Sequence, residues 1–161
     1  MAMSPWLDGI RQKVGPDLLI LASSAGVVFD DQGRMLLVRD LDSGNWVAPG
    51  GYLDPGESPR QCCERELLEE VGLDVHVTAL LGTFSGPEFL IRYSNGHEVQ
   101  AVISCFECAL VDPDAHVVTD GSEVGDHRWV DRDEIQRLPL QPWARAVLPR
   151  LWDARANPLI D

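Results

Sequence analysis

Gly51–Leu73 reads GYLDPGESPRQCCERELLEEVGL, and this stretch decides the fold. Its centre is a helix with both ends marked. Ser58 is an N-cap, Pro59 sits at the first helical position, and Gln61 completes a capping box. Gly72 suits the left-handed position just past the last turn. At about 100° per residue, Glu66, Glu69 and Glu70 share a face about 100° wide. Cys63, Leu67, Val71 and Leu68 make the stripe expected to be buried. Cys62 falls in the angular sector of the carboxylates, where a small side chain acts as filler. Like charges on one helix face repel by about a few tenths of a kcal/mol per pair. They also lie towards the C-terminal end, where the helix dipole disfavours anions. The spacing sets no basic residue against them at i±4. A lone E-x-x-E-E reads most simply as a solvated acidic face. Its alternative is a seat for a hard divalent cation, Mg²⁺ above all, which binds carboxylate and phosphate oxygens.

The whole segment runs Gly51, five residues, Glu57, seven residues, then Arg65-Glu66-Leu67-Leu68-Glu69-Glu70-Val71-Gly72-Leu73. It resembles, with no departure, the signature of the Nudix hydrolase superfamily, GX5EX7REUXEEXGU with U aliphatic. Seven fixed residues coincide by chance about 10⁻⁹ times per start position at average usage. That rarity outweighs the plain acidic-face reading. The flanks agree: Trp46-Val47-Ala48-Pro49-Gly50-Gly51 resembles the family's W-x-L-P-G-G entry, with Ala48 where leucine is commoner. Glu123 to Trp129 resembles the acid that precedes an R-W-V strand. The likeness covers Ala22 to Leu138 and weakens beyond.

The resemblance implies an α/β/α sandwich around a mixed β-sheet, with the box as a loop-helix-loop. It implies that Glu66, Glu69, Glu70 and the Gly51 carbonyl are metal ligands, for Mg²⁺ or alternatively Mn²⁺. It implies that Glu57 and Arg65 pair and tie the loop to the helix, supporting the ligands. The implied reaction is hydrolysis of a diphosphate linkage in a nucleoside diphosphate derivative or nucleotide, with metal ions polarising phosphate and water. A carboxylate must take the water's proton. Glu69 on the helix is one candidate. Glu123, between Gly121 and Gly125 with Asp120 and Asp126 nearby, is the other and is preferred, because Glu69 is occupied if it is a ligand. Two other classes share the fold: an isomerase of the isopentenyl diphosphate type and a non-catalytic regulatory module. An intact box with every glutamate present favours hydrolysis.

Outward from the box, Ser4-Pro5 opens a helix with Trp6, Leu7, Ile10 and Val14, and Gly15-Pro16 ends it. Ala22–Phe29 and Met35–Val38 read as strands joined by an Asp30–Gly33 hairpin turn. Ser43–Ser58 reads as a loop. Val75–Thr83 is a strand, and Ile91–Tyr93 and Val99–Val111 flank a second hairpin at Ser94–His97. Arg128–Val130 is a short strand. Asp131 and Glu134 have capping-box spacing, which predicts a helix over 132–137. Trp143, Val147, Leu148 and Leu151 line one side of a closing helix over 142–153. Strands without regular βαβ alternation give α+β with a mixed sheet. The expected organisation is one domain, 1–161, with a helical extension over 1–20 and a core over 22–138.

Thirteen Lys and Arg face 26 Asp and Glu, for a net charge of −13. Such a chain is repelled by nucleic-acid polymers and anionic lipid, so any phosphate is handled through cations. No apolar run reaches the roughly 18 residues of a membrane span, and no secretory signal is legible. Cys62, Cys63, Cys105 and Cys108 read as cytoplasmic free thiols, with a zinc site the weaker alternative. The expected partner is a small nucleotide or diphosphate, and pairing into a homodimer through the N-terminal helix is compatible with the family. Arg39, at a strand end, is a weak candidate for a phosphate contact. Trp46, Phe84, Phe89 and Tyr93 are candidates for base stacking, although strand aromatics more often belong to the core.

Overall fold

The computed structural model describes residues 4–154 and 158–160. The first helix, α1 (Pro5–Val14), is capped by the Ser4 hydroxyl, which accepts from the Leu7 N–H, and closed by Gly15. Its Arg11 is buried and donates to the carbonyls of Gly15, Asp17 and Glu98 at 3.2, 2.6 and 2.7 Å. A guanidinium on backbone carbonyls satisfies its donors without a counter-ion and pins the helix to the sheet.

β1 (Leu19–Val28) and β2 (Met35–Asp40) follow. The turn between them forms as expected, with Asp30 accepting from the Gln32 and Arg34 N–H groups. The strands nevertheless do not stay together. After one bridge between Phe29 and Met35 they enter different sheets. The cause is burial on both faces: Val27, Val28 and all of Met35–Val38 are covered, so each strand is interior to its own sheet. Two short strands, β3 (Trp46–Val47) and β4 (Gly50–Tyr52), interrupt the expected loop. Then come α2 (Pro59–Val71), β5 (Val75–Phe84), β6 (Leu90–Arg92), β7 (Glu98–Leu110), β8 (Val124–Val130), α3 (Pro142–Val147) and β9 (Leu159–Ile160).

The larger sheet has the order β4-β1-β7-β5-β9, with β6 extending the β5 side of β7. It is mixed. β1 runs parallel to β7, in register from Leu19 opposite Val99 to Val28 opposite Cys108, and β9 parallel to β5, while β4 is antiparallel to β1 and β5 antiparallel to β7. The smaller sheet, β3-β2-β8, is antiparallel. The expected α+β class with a mixed sheet therefore holds. One apolar core draws on both sheets, α2 and α3.

The cap of α2 is as read: Ser58 and Gln61 close a capping box and Gly72 takes the left-handed position. The helix lies across β1, β4 and β5. Gly26 of β1 makes the approach possible, since a Cβ there would overlap the Leu67 side chain. Leu68, expected in the buried stripe, is instead 54% exposed, because the helix seats itself on Cys63, Leu67 and Val71.

Two further helices are shorter than the spacing predicts. Asp131 accepts from the Asp133 and Glu134 N–H groups, but the Glu134 carboxylate reaches Arg128 at 3.1 Å rather than folding back. The cap is half formed, and only a 3₁₀ turn over Ile135–Arg137 results. α3 stops at Val147 and continues as a 3₁₀ turn over Leu148–Arg150. Pro149 is the reason, since it offers no N–H to an α-helical ladder and crowds the carbonyl four residues back. The buried side of this segment, Trp143, Val147, Leu148 and Leu151, is as expected.

Candidate active site

The three glutamates of α2 share a face but not an environment. Glu66 and Glu70 are 9% and 6% exposed, while the Glu69 side chain is 60% exposed. Glu70 Oε2 accepts from the Gly50 N–H of β4 at 2.9 Å. Glu66 lies directly over Gly51, where any Cβ would overlap its carboxylate. The second glycine of the Gly50-Gly51 pair is thus required so that the helix carboxylate can reach the strand. Beneath it Cys62 is fully buried and its thiol donates weakly to the Gly51 carbonyl at 3.5 Å.

Arg65 organises the acids. Its Nε and Nη2 grip the two Glu57 oxygens at 2.8 and 3.0 Å. Nη1 reaches Glu66 at 2.7 Å and Glu69 at 3.0 Å, and Nη2 also donates to the Tyr52 carbonyl at 3.2 Å. The acidic face therefore has a base at i−4 of Glu69 after all, a correction to the sequence reading. Bidentate pairing with Glu57 holds the Glu57 carboxyl below its ordinary value, chiefly through the Arg65 hydrogen bonds.

Glu123 arrives from the loop before β8. That loop satisfies carbonyls at the end of α2, with the Val118 and Asp120 N–H groups donating to Val71 and Glu70. The Asp120 carboxylate is spent on the loop itself, accepting from Ser122 and from the Glu123 and Val124 N–H groups. Burial alone would raise its pKa, but those bonds together bring it below the ordinary value. Asp126 is exposed and accepts from the His127 N–H. Glu123 is the loop acid that lines the cavities beside α2.

The electrostatics follow from packing acids together out of water. Glu70 is pushed up to about 9, first by burial, then by Glu66, with Glu123 and Asp120 adding and the Gly50 N–H opposing. Glu66 is pushed up to about 7, first by burial, with Arg65 opposing and Glu123 and Glu69 adding. Three carboxylates, Glu57, Glu66 and Glu69, share the guanidinium of Arg65, while Glu70 is held by the Gly50 N–H. Among the described residues no three His, Cys, Asp or Glu side chains stand ready-grouped for a metal ion. The contacts explain this: Glu66 and Glu69 are turned to Arg65 and Glu70 to Gly50. The donor set, hard oxygens at an excess of negative charge, fits a divalent cation such as Mg²⁺. The four cysteines are buried free thiols. Cys63 and Cys108 lie 3.6 Å apart at the α2–β7 contact, and the set forms no zinc grouping.

Two cavities meet at the acids. A trench of about 810 Å³ runs along Arg65, Glu66 and Glu69 to the start of α1. A cleft of about 650 Å³ opens between the two sheets. Gly51, Tyr52 and Glu123 line both. The cleft is largely apolar, with Val47, Ile91, Ile103 and Trp143, and carries Asp40 and Gln141 among its polar residues. Arg39 does not line either cavity; its guanidinium is exposed and donates to the Gly44 carbonyl at 3.1 Å. Of the aromatic candidates, Tyr93 lines the cleft, its hydroxyl 2.6 Å from that of Tyr52. Phe84 and Phe89 stack on each other in the core and Trp46 is buried beneath Arg128. Asp40, Tyr52, Gln141 and Trp143 were not singled out from sequence. They come from three separate segments, Gln141 and Trp143 sharing one, and no spacing relates the three.

Comparison with known proteins agrees with this geometry. A family model described as NUDIX domain matches residues 21–151. A MutT-like protein of Streptomyces ambofaciens is 31% identical over 129 residues, covering 80% of this chain and 75% of that protein. An RNA pyrophosphohydrolase of a Marinomonas species is 28% identical over 137 residues, covering 76% of each. The crystal structure of a UDP-X diphosphatase superposes with a TM-score of 0.72 at 21% identity, covering 100% of this chain and 76% of that one, a likeness of fold.

Proposed function

The chain belongs to the NUDIX domain family and is a hydrolase of pyrophosphate bonds; from that premise we propose that it cleaves, with Mg²⁺, the diphosphate linkage of a small nucleotide or nucleoside diphosphate derivative. The observation that carries this reading is the pair of buried carboxylates, Glu66 and Glu70, against Gly50-Gly51 where the trench meets the cleft. Of the relatives named above, one is described as an RNA pyrophosphohydrolase. For this chain the small-molecule reading is favoured by a net charge of −13, which opposes a polyanion.

Glu66, Glu69, Glu70 and the Gly51 carbonyl hold the cation in this reading. Mg²⁺, or Mn²⁺ in its place, supplies neutralisation of phosphate oxygens and activation of water. Arg65 fixes Glu57 and so holds the loop between β4 and α2 against the helix. The diphosphate lies along the trench and the rest of the substrate enters the cleft. Water attacks one phosphorus, the bridging P–O bond breaks, and Glu123 takes the proton the water releases. Glu123 is supported over Glu69 by position: it lines both cavities, whereas Glu69 is largely exposed and bound to Arg65.

Hydrolysis of a panel of nucleoside triphosphates, dinucleotides and nucleotide sugars, with Mg²⁺ and with chelator, tests the proposal. Product identification should show cleavage within the diphosphate, abolished by chelator. Absence of cleavage across the panel, or cleavage indifferent to chelator, would overturn it.

A further inference from the structure

The cleft beside the carboxylates has a polar end whose hydrogen-bonding capacity is one-sided. Asp40 Oδ2 accepts from the Ser43 N–H at 3.0 Å, from the Ser43 hydroxyl, and from Gln141 Nε2 at 2.8 Å. Oδ1 receives no hydrogen bond from the described residues, so the carboxylate is anchored by one oxygen and offers the other. Gln141 is fixed in turn. Its amide N–H₂ is committed to Asp40 and Ser43, the latter at 3.0 Å, and its Oε1 accepts from Trp143 Nε1 at 3.0 Å. The contacts settle which way the amide faces, and they leave Oε1 with a second lone pair.

The serine and indole donors around this cleft are spent inside the protein, and the Tyr52 and Tyr93 hydroxyls lie 2.6 Å apart, one donating to the other. The hydroxyls of Ser23 and Ser24 donate to the Val102 and Pro59 carbonyls, and the Trp143 indole donates to Gln141. Asp40 and Gln141 therefore present acceptors to a guest, between walls that are flat and apolar. A guest with an acceptor at that position would leave two lone-pair groups opposed, which costs much more than a missing contact.

Nucleobases differ in this respect. Guanine carries two adjacent donors, N1–H and N2–H₂, on one edge. Adenine and cytosine set an amino group beside a ring nitrogen lone pair, and uracil has a single N–H between two carbonyls. We propose that Asp40, oriented by Gln141 and Ser43, is a specificity-determining residue that reads the donor edge of a guanine-type base. The inference rests on the nucleotide reading of the adjoining site. The base occupies the cleft between Tyr93 and Trp143, and its phosphates point past Gly51 and Glu123 into the trench.

The test is binding of mononucleotides, which does not depend on which diphosphate the enzyme cleaves. Calorimetric titration of the full chain with GMP, IMP, AMP, CMP and UMP, in the presence of Mg²⁺, should find GMP about 10- to 100-fold tighter than AMP or CMP. IMP, which keeps N1–H and lacks the amino group, should fall between. Asp40→Asn, which exchanges half of the acceptor for a donor, should reduce the GMP preference by about tenfold. Equal affinity for GMP and AMP, no binding of any of the five, or an undiminished preference in folded Asp40→Asn overturns the proposal. The wild-type comparison of GMP with IMP and AMP needs no variant, so a misfolded mutant leaves the test intact. Diphosphate cleavage without base preference would overturn this inference and leave the hydrolase reading standing. Selective GMP binding without cleavage would do the reverse.

Discussion

A single loop residue, Glu123, connects the two cavities, and its role is separable from that of the helix acids. Proton abstraction requires a carboxylate within hydrogen-bond reach of the attacking water. Glu123→Gln is expected to lower kcat by about 10²–10⁴, the usual general-base contribution, while Mg²⁺ binding by calorimetry stays close to wild type. Normal turnover of Glu123→Gln beside a dead Glu69→Gln that still binds metal would place the base on α2. Glu70→Gln has a different signature. It removes a buried ligand candidate whose carboxylate is held by the Gly50 N–H, so it should weaken Mg²⁺ binding and depress turnover by orders of magnitude together. Unchanged Mg²⁺ affinity in that variant would exclude Glu70 from the cation site. At this scale much was legible from sequence, because the helix period alone groups Glu66, Glu69 and Glu70. What it does not carry is their unequal burial, which depends on β4 pressing against one side of the helix. Nor does it reveal Asp40 and Gln141, about a hundred positions apart and joined only by the folded chain.

At the scale of elements, the loop from β4 and the helix α2 act as one body through Arg65, whose donors reach Glu57, Glu66, Glu69 and the Tyr52 carbonyl. Arg65→Ala should release Glu57 and leave the helix acids to repel one another. The expected result is activity lowered about 10–100-fold and partly recovered at high Mg²⁺, since the loss acts through the cation's supporting contacts. Arg65→Lys should rescue little, because an ammonium cannot copy a planar fork that grips two oxygens of one carboxylate while reaching two others. A loss insensitive to Mg²⁺ concentration would assign Arg65 a direct part in the chemistry. The bounds of α2 were legible because Ser58, Pro59, Gln61 and Gly72 are local signals that act through hydrogen bonds within one turn. The shorter helices were misread for the same reason in reverse. Pro149 lies inside an otherwise good apolar period, and Glu134 finds Arg128 on a neighbouring strand, a competitor that spacing along the chain does not display.

For the whole molecule, the cost of the site should register as a dependence of stability on pH. The parting of β1 and β2 into two sheets, which no local signal announces, opens the cleft that Glu70 lines, with Glu66 buried beside the adjoining trench. In metal-free protein Glu66 and Glu70 hold their protons to about 7 and about 9, against an ordinary value of 4.5 in the unfolded chain. Below that ordinary value both states are protonated and the groups contribute no difference. Between it and the raised values the native state binds more protons than the unfolded state, so stability falls as pH rises, by about 1.4 kcal/mol per pH unit for each differing proton. Glu57 has the opposite sign, since its depressed value costs stability only as pH falls into the acid range. Thermal melts in chelator should therefore show a midpoint that declines from about pH 5.5 to about pH 9. Glu70→Gln should flatten much of that decline, because the amide carries no charge to desolvate. Saturating Mg²⁺ should reverse it, since a ligand that binds the folded site alone adds RT ln(1 + [L]/Kd) and binds the deprotonated acids best at high pH. A metal-free midpoint that is flat or rises over this range, in wild type and variant alike, would show that the two buried acids do not carry the strain assigned to them.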